Sequence, residues 1–494
     1  MPDKIKNLLF SNTSQRQTMA KNTFWLFSGS IIARIFKAIL LIYAARVLGA
    51  DGWGLFSYAF SLAALFTTFI DFGVNGVITR ESSRDLSAQQ KYFATGLLIK
   101  TIMFAAVMVI VFAAAPVLVT DPRVAALLPI VVFMVGLDSF RDFGNSLARA
   151  WERMELEAIV QIFTNIMILV AGVTMLTFAK TPQSLAIGYL IGVGVGMIAS
   201  FYPFRRYLKN IRSAFSTKLI KPILVASWPF GMMGLMGAIM LNTDTIMVGW
   251  FRDIAAVGYY GAAQRIIQII YIVPAIMATV FFPSMARLIA DKERFARVLE
   301  RGLSLMTLLA VPLTVGGVVL AHPIMTILYG TSYDAGAGAF RALSLTFLPA
   351  FLSAMFGNAV FSLNHEKKLF AYVILGIVGN FVFNLALIPW LGITGAALST
   401  VINQSIITLY LMWILQKEAR FTVLHQIEKI TIATLVMGAV IAAAKFANIN
   451  LYGIIVLGML AYFIPLYLAK EEALTEIWGM AKRQFSAFRA KDPA

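Results

Sequence analysis

Residues 22–47 read NTFWLFSGSIIARIFKAILLIYAARV, a run long enough to cross a bilayer, for which about 20 apolar residues suffice. Yet it carries Arg34 and Lys37 in its middle. At about 1.5 Å per residue Arg34 lies roughly 18 Å along the segment, too deep for its charge to reach either end easily. Holding a cation there costs about 2.5–3.5 kcal/mol or more unless it faces a polar interior. Three residues apart, the two side chains share one helical face, with Ser30 one turn before them. The helix therefore has a wet side, and an anion belongs there.

The rest of the chain supports a membrane setting. Its 494 residues are 60% hydrophobic and 13% charged, with a mean hydropathy of +0.80, which leaves too little charge to coat a soluble globule and describes an all-α polytopic membrane protein. Cysteine is absent, so disulfide and thiolate chemistry are excluded. The net charge of +17 would suggest nucleic acid in a soluble chain, but the cations fall in alternate loops, and no nucleic-acid partner is expected. There is no phosphate-binding Gly-rich loop, dinucleotide turn or zinc-ligand cluster, so neither cofactor nor metal is implied. His322, His365 and His425 are scattered and read as interfacial or loop residues. Residues 1–21 lack the pattern of a cleaved signal peptide and read as a cytoplasmic lead-in, with Ile5, Leu8 and Leu9 touching the interface.

Apolar segments bounded by charge or by Pro/Gly turns number about fourteen: 22–47, 53–79, 91–115, 124–146, 157–179, 184–203, 223–250, 257–285, 301–325, 337–362, 370–389, 394–415, 429–445 and 451–469. Charge tests this count. With the N-terminus placed in the cytoplasm, thirty of the 41 lysines and arginines fall in cytoplasmic segments. Six fall in external turns, namely Arg46, Arg123, Lys180, Arg252, Arg341 and Lys445. That asymmetry is what the positive-inside rule demands of an even helix count with both termini inside.

The turn LGADGWGLFSYA after the first span has an echo in VGWFRDIAAVGYYGAA after the seventh. Asn165 and Asn380 likewise sit mid-span after charged loops. A parallel repeat of six helices follows, as transporters often show, and gives a segment at 1–21, lobes at 22–210 and 211–425, an added helix pair at 426–469 and a cytoplasmic tail at 470–494. Gly188, Gly192 and Gly196 form a close-packing face. Pro229, Pro274, Pro312 and Pro349 fall inside spans and mark kinks.

Five cations lie within spans: Arg34, Lys37, Lys100, Arg141 and Arg265. Ionisable residues at such depth are functional candidates with a partner expected. Asp71 and Asn75 share a face near the cytoplasmic end of the second span, and Lys100 is roughly 14 Å into the third. Asp138, Arg141 and Asp142 lie within one turn and are spaced to neutralise one another. Asp244 and Arg265 are both roughly 10 to 12 Å from a shared external turn, so either they pair and anchor the fold, or Arg265 faces a cavity with Gln264 and Gln268 beside it. Arg34 and Lys37 have no acid at matching depth on the adjacent helix. Either Asp138 or Asp244 reaches them from another helix, or their counter-charge is an anion that arrives and leaves; phosphate or diphosphate suits an arginine with a lysine beside it.

The opening FWLFSGSIIARIFKAILLIYAARVLGADGWGLFSYA, the DFG at Asp71 followed by TRESSRD, and the later LNTDTIMVGW and LIPWLGITGAALST resemble the Wzx-type polysaccharide-repeat-unit flippases of the multidrug/oligosaccharidyl-lipid/polysaccharide exporter superfamily. The resemblance implies two pseudo-symmetric six-helix lobes around a central cavity, with two C-terminal helices added outside. It also implies a plasma-membrane protein, not an enzyme, that moves a polyprenyl-diphosphate-linked oligosaccharide from inner to outer leaflet, as a monomer beside polysaccharide polymerase or assembly proteins. Arg34, Lys37, Lys100 and Arg265 would then receive the anionic head group. Asp71, Asp138 and Asp244 would couple to H⁺ or Na⁺ or pair with cations, unless the membrane potential alone drives export. Rival readings are a flippase for the lipid II type of peptidoglycan precursor, a cation-coupled drug exporter of the MATE type, whose cavity should be more acidic, and a scaffold that transports nothing.

Overall fold

A computed structural model describes residues 11–12, 14–85, 87–209, 211–423, 427–447, 449–469, 471 and 474. The lead-in residues Ile5, Leu8 and Leu9, His425 and nearly all of the tail 470–494 lie outside the described residues. All regular structure among the described residues is helical. Among the described residues ten helices are long and apolar enough to cross a membrane, or eleven if the pair Thr331–Ser344 and Phe347–Ser362, bent by 42°, counts as one.

Two glycines set the longest elements. Gln15–Asp71 runs for 57 residues and bends at Gly49 (φ 66°); Glu366–Glu418 runs for 53 and bends at Gly392 (φ 59°). A positive φ is open to glycine and costly for other residues, so each turn can be this short only because glycine occupies it. The sequence pattern carries the second span to residue 79, but the helix stops at Asp71. Phe72 (φ 37°) and Gly73 (φ 85°) turn left-handed there, and a new helix, Val74–Arg84, begins. Gly73 is pressed against the helix Ile220–Phe251, where a Cβ would strike the Phe230 side chain and the Ser227 carbonyl.

Prolines explain two further breaks. Helix Ile254–Ile270 gives way to Ile272–Arg287, and Pro274 has no N–H to offer the Ile270 carbonyl four residues back. Pro349 deprives Leu345 in the same way, beside the 42° bend. Pro229 and Pro312, also expected as kinks, lie inside continuous helices.

The chain forms two compact units, Met1–Gly258 and Tyr259–Ala494. In the first, helix Pro182–Phe201 lies against Met154–Phe178 along its glycine face. Added Cβ atoms at Gly188, Gly192 and Gly196 would strike Gly172, Ile168 and Thr164, which is close backbone packing of the small-residue kind. Elsewhere Phe93, Phe143, Leu147, Phe204 and Val74 form a buried cluster. In the second unit Ile430, Met437, Ile441 and Tyr462 of the last two helices pack with Leu305 and Leu308, and the Tyr462 hydroxyl donates to the Leu308 carbonyl at 2.8 Å. Large apolar side chains such as Ile110, Phe112, Trp390 and Leu435 are exposed. In water such coverage would drive aggregation; against lipid it is the expected surface.

Candidate functional site

Ser14 accepts a hydrogen bond from the Gln17 N–H and starts the first helix, so Arg34 and Lys37 sit well inside it. Arg34 is exposed and Lys37 half-buried. The Lys37 ammonium lies 5.8 Å from the Tyr189 ring centroid and 5.9 Å from that of Phe60, within the range of cation–π attraction. Among the described residues neither cation has a carboxylate partner, so the pairing with Asp138 or Asp244 considered above is not found.

Lys100 is placed differently. Its side chain is fully buried, and its ammonium donates to Asp71 Oδ1 at 2.7 Å and to Asn75 Oδ1 at 3.1 Å. The rings of Phe140 and Phe143 lie 5.9 and 5.8 Å away. The helix end at Asp71 and the restart at Val74 bring both acceptors to one lysine. The network continues: Asn75 Nδ2 donates to Asp142 Oδ2 at 3.0 Å. Asp142 Oδ1 also accepts from Arg149 at 2.6 Å, and Arg149 donates twice to Glu157, at 2.6 and 2.9 Å.

Asp138 stands apart from this chain. Arg141 Nε approaches Asp138 Oδ1 at 2.8 Å, yet no hydrogen bond is aligned and that N–H lacks an acceptor. The turn Asp138–Arg141–Asp142 is thus divided: one acid faces Arg141, the other Arg149. Arg149 and Glu157 belong to the charged run ARAWERMELE, which reads as a loop. The signal available in the sequence was the i, i+7 placement of Asp142 and Arg149, one face of a helix that in fact runs on to Ala150.

A second buried pair closes the same region. Lys21 Nζ lies 3.0 Å from Glu155 Oε2, with both side chains almost inaccessible, and Arg153 holds the other Glu155 oxygen at 2.9 Å. In the second unit, Arg265 is half-buried and donates to Gln268 Oε1 at 3.1 Å; in the first, Asp244 is buried. His365 Nε2 is 2.8 Å from Glu418 Oε1 and His322 Nε2 3.4 Å from Asp334. Among the described residues no three His, Cys, Asp or Glu side chains converge as metal ligands would.

Chemically, two cations without a carboxylate partner, Arg34 and Lys37, are able to attract an anion, and they share the first unit with the hydrogen-bonded network of Lys100, Asp71, Asn75, Asp142, Arg149 and Glu157. Residues 19–289 match the family described as polysaccharide biosynthesis protein. The chain is 25% identical over 406 residues to the probable flippase AglR of Haloferax volcanii, covering 78% of this chain and 81% of that one. It is 20% identical over 411 residues to a putative O-antigen transporter of Shigella flexneri, covering 80% and 97%. A solved structure of the lipid II flippase MurJ, in an inward closed conformation, matches with a TM-score of 0.75 at 18% identity, covering 91% of this chain and all of that one. At that identity the likeness speaks to the fold.

Proposed function

Because this chain belongs to the polysaccharide biosynthesis protein family, we propose that it moves a polyprenyl-diphosphate-linked oligosaccharide, a repeat unit of O-antigen, capsule or exopolysaccharide, from the inner to the outer leaflet by alternating access. It is a membrane transporter of the flippase kind and not an enzyme. Support for the lipid-linked substrate comes from one observation above all: Arg34 and Lys37 sit mid-helix with no carboxylate partner among the described residues. A diphosphate supplies the missing charge. Arg265 of the second unit is a further proposed contact for the head group, and Lys100 would join only when its hold on Asp71 opens.

The barrier to flipping is that a charged, hydrated head group cannot cross hydrocarbon unaided. A polar face offered to one leaflet at a time removes it. Fourteen spans are the proposed count, since the elements bent at Gly49 and Gly392 are each long enough for two crossings at about 30 Å apiece. Both termini are placed in the cytoplasm and the protein in the plasma membrane. Direction requires a driving force: a membrane potential acting on the charged complex, or an H⁺ or Na⁺ gradient acting through Asp71, Asp138 or Asp244. Asp71 and Asp138 hold Lys100 and Arg141, so each would have to release a cation to accept an ion.

The test is a reconstituted flipping assay with a polyprenyl-diphosphate glycan. Arg34→Ala and Lys37→Ala together should abolish flipping while leaving the folded protein intact. Unchanged flipping would remove the diphosphate reading of these two residues.

A further inference from the structure

The two turns that echo each other in sequence come together at one end of the first unit. Asp51 and Tyr58 from the first, Trp250, Arg252 and Asp253 from the second, and the turn containing Asp121 and Arg123 line an open cavity of about 1010 Å³. Its walls are held by close backbone approach: a Cβ at Gly54 would strike the Ile254 carbonyl, one at Gly258 the Ala50 carbonyl, and one at Gly249 the Tyr58 ring.

The chemistry of the lining is mixed and specific. Arg123 bridges Asp51 and Asp121, each at 2.8 Å, so its charge is already answered twice. The Arg123 guanidinium beside Asp121 also holds that carboxyl below the usual carboxylate range, which leaves it an acceptor only. Asp253 Oδ1 accepts the Ala256 N–H at 2.8 Å and keeps its second oxygen for other use. Three carboxylates against two guanidinium groups disfavour a diphosphate. Trp250, 60% exposed, presents a broad apolar surface beside them.

We propose that this cavity is a glycan-holding vestibule, taking the uncharged sugars of the head group with Trp250 against a pyranose face and Asp51, Asp121 and Asp253 accepting hydroxyl hydrogen bonds. A flat aromatic surface with carboxylates around it is what a polyhydroxylated ring needs, since its C–H face is apolar and its rim is all donors. The volume suits more than one sugar, at the upper end of the roughly 300–1,000 Å³ of small-molecule sites. A tryptophan at a membrane interface can serve merely as an anchor; an anchor has no use for three carboxylates around a cavity. In the proposed orientation this end faces outward, where the sugars would be held as the diphosphate leaves Arg34 and Lys37. The inference rests on the flippase reading for its substrate, and on the cavity alone for its chemistry.

The experiment uses the full chain in nanodiscs. The probe is the oligosaccharide released by mild acid from the native membranes' own lipid-linked glycans, free of lipid and diphosphate, with binding read by saturation-transfer NMR and calorimetry. The free glycan should bind. Trp250→Ala should weaken it about tenfold or more, Trp250→Phe should retain most of it, and Asp51→Asn should weaken it about fivefold. Wild-type binding in a folded Trp250→Ala protein overturns the vestibule, as does loss of binding equal for Phe and Ala. If the free glycan fails to bind while the lipid-linked form is still flipped, the vestibule is wrong and the flippase reading stands. If the lipid-linked form is not flipped but the free glycan binds through Trp250, the flippase reading falls and the vestibule survives.

Discussion

The Lys100 ammonium donates to Asp71 Oδ1 at 2.7 Å from a side chain that is wholly buried, whereas Asp71 remains 30% exposed. That difference makes the pair asymmetric. Removing one partner of a buried ion pair costs about 3–5 kcal/mol because the other charge is stranded. Stranding Lys100 is the worse case, since Asp71 can still reach water. Asp71→Asn should therefore lower thermal stability in detergent more than Lys100→Met does, and the double variant should recover part of the loss of Asp71→Asn. An Asp71→Asn protein more stable than Lys100→Met would contradict this account of the pair.

The same pair shows what the sequence could and could not reveal. Apolar runs, loop charges and glycine turns are local quantities, so the helical class, the turns at Gly49 and Gly392 and the packing face of Gly188 were all legible. Depth along a helix also singled out Arg34 and Lys37 as mid-helix cations. Which cation meets which acid depends on how helices pack and where they stop. The left-handed Phe72–Gly73 break, invisible in hydropathy, brings Asp71 and Asn75 to Lys100. Arg149 and Glu157 were hidden for the opposite reason: their helices extend further than their charge suggests.

Arg149 spans Asp142 and Glu157 at once, with three hydrogen bonds between 2.6 and 2.9 Å. A planar fork holds two carboxylates in this fixed paired geometry, which the three donors of a compact ammonium on a flexible stem match less well. Arg149→Lys should keep the charge yet cost about 1.5–3 kcal/mol, the scale of one charged hydrogen bond. Arg149→Lys combined with Glu157→Gln should cost less than the sum of the two single changes, by the coupling a double-mutant cycle measures. Additive losses would show that the two residues are not linked through this contact.

Two glycines should respond to alanine with opposite sign. At Gly54 the new methyl group would collide with the Ile254 carbonyl, a backbone atom that cannot swing aside, and overpacking of this kind costs about 1–3 kcal/mol. At Gly237, inside helix Ile220–Phe251, nothing lies within 4 Å of the added carbon. There alanine restricts the unfolded chain and favours the helix by about 0.4–1 kcal/mol. Melting temperatures of the two variants should fall on either side of the parent; a Gly54→Ala protein as stable as the parent would mean that the helix crossing is looser than its geometry.

The orientation can be read directly because the chain contains no cysteine, so a single introduced thiol reports without background. Lys180 and Lys218 are both exposed, and the proposed orientation puts the first in an external turn and the second in the basic cytoplasmic loop. Lys180→Cys should react with a membrane-impermeant maleimide on intact cells, and Lys218→Cys only after permeabilisation. Reversed labelling would turn the protein over and with it the direction of transport. Labelling of both from outside would mean an odd number of crossings between residues 180 and 218 does not exist, and the helix Pro182–Phe201 would then have to be something other than a span.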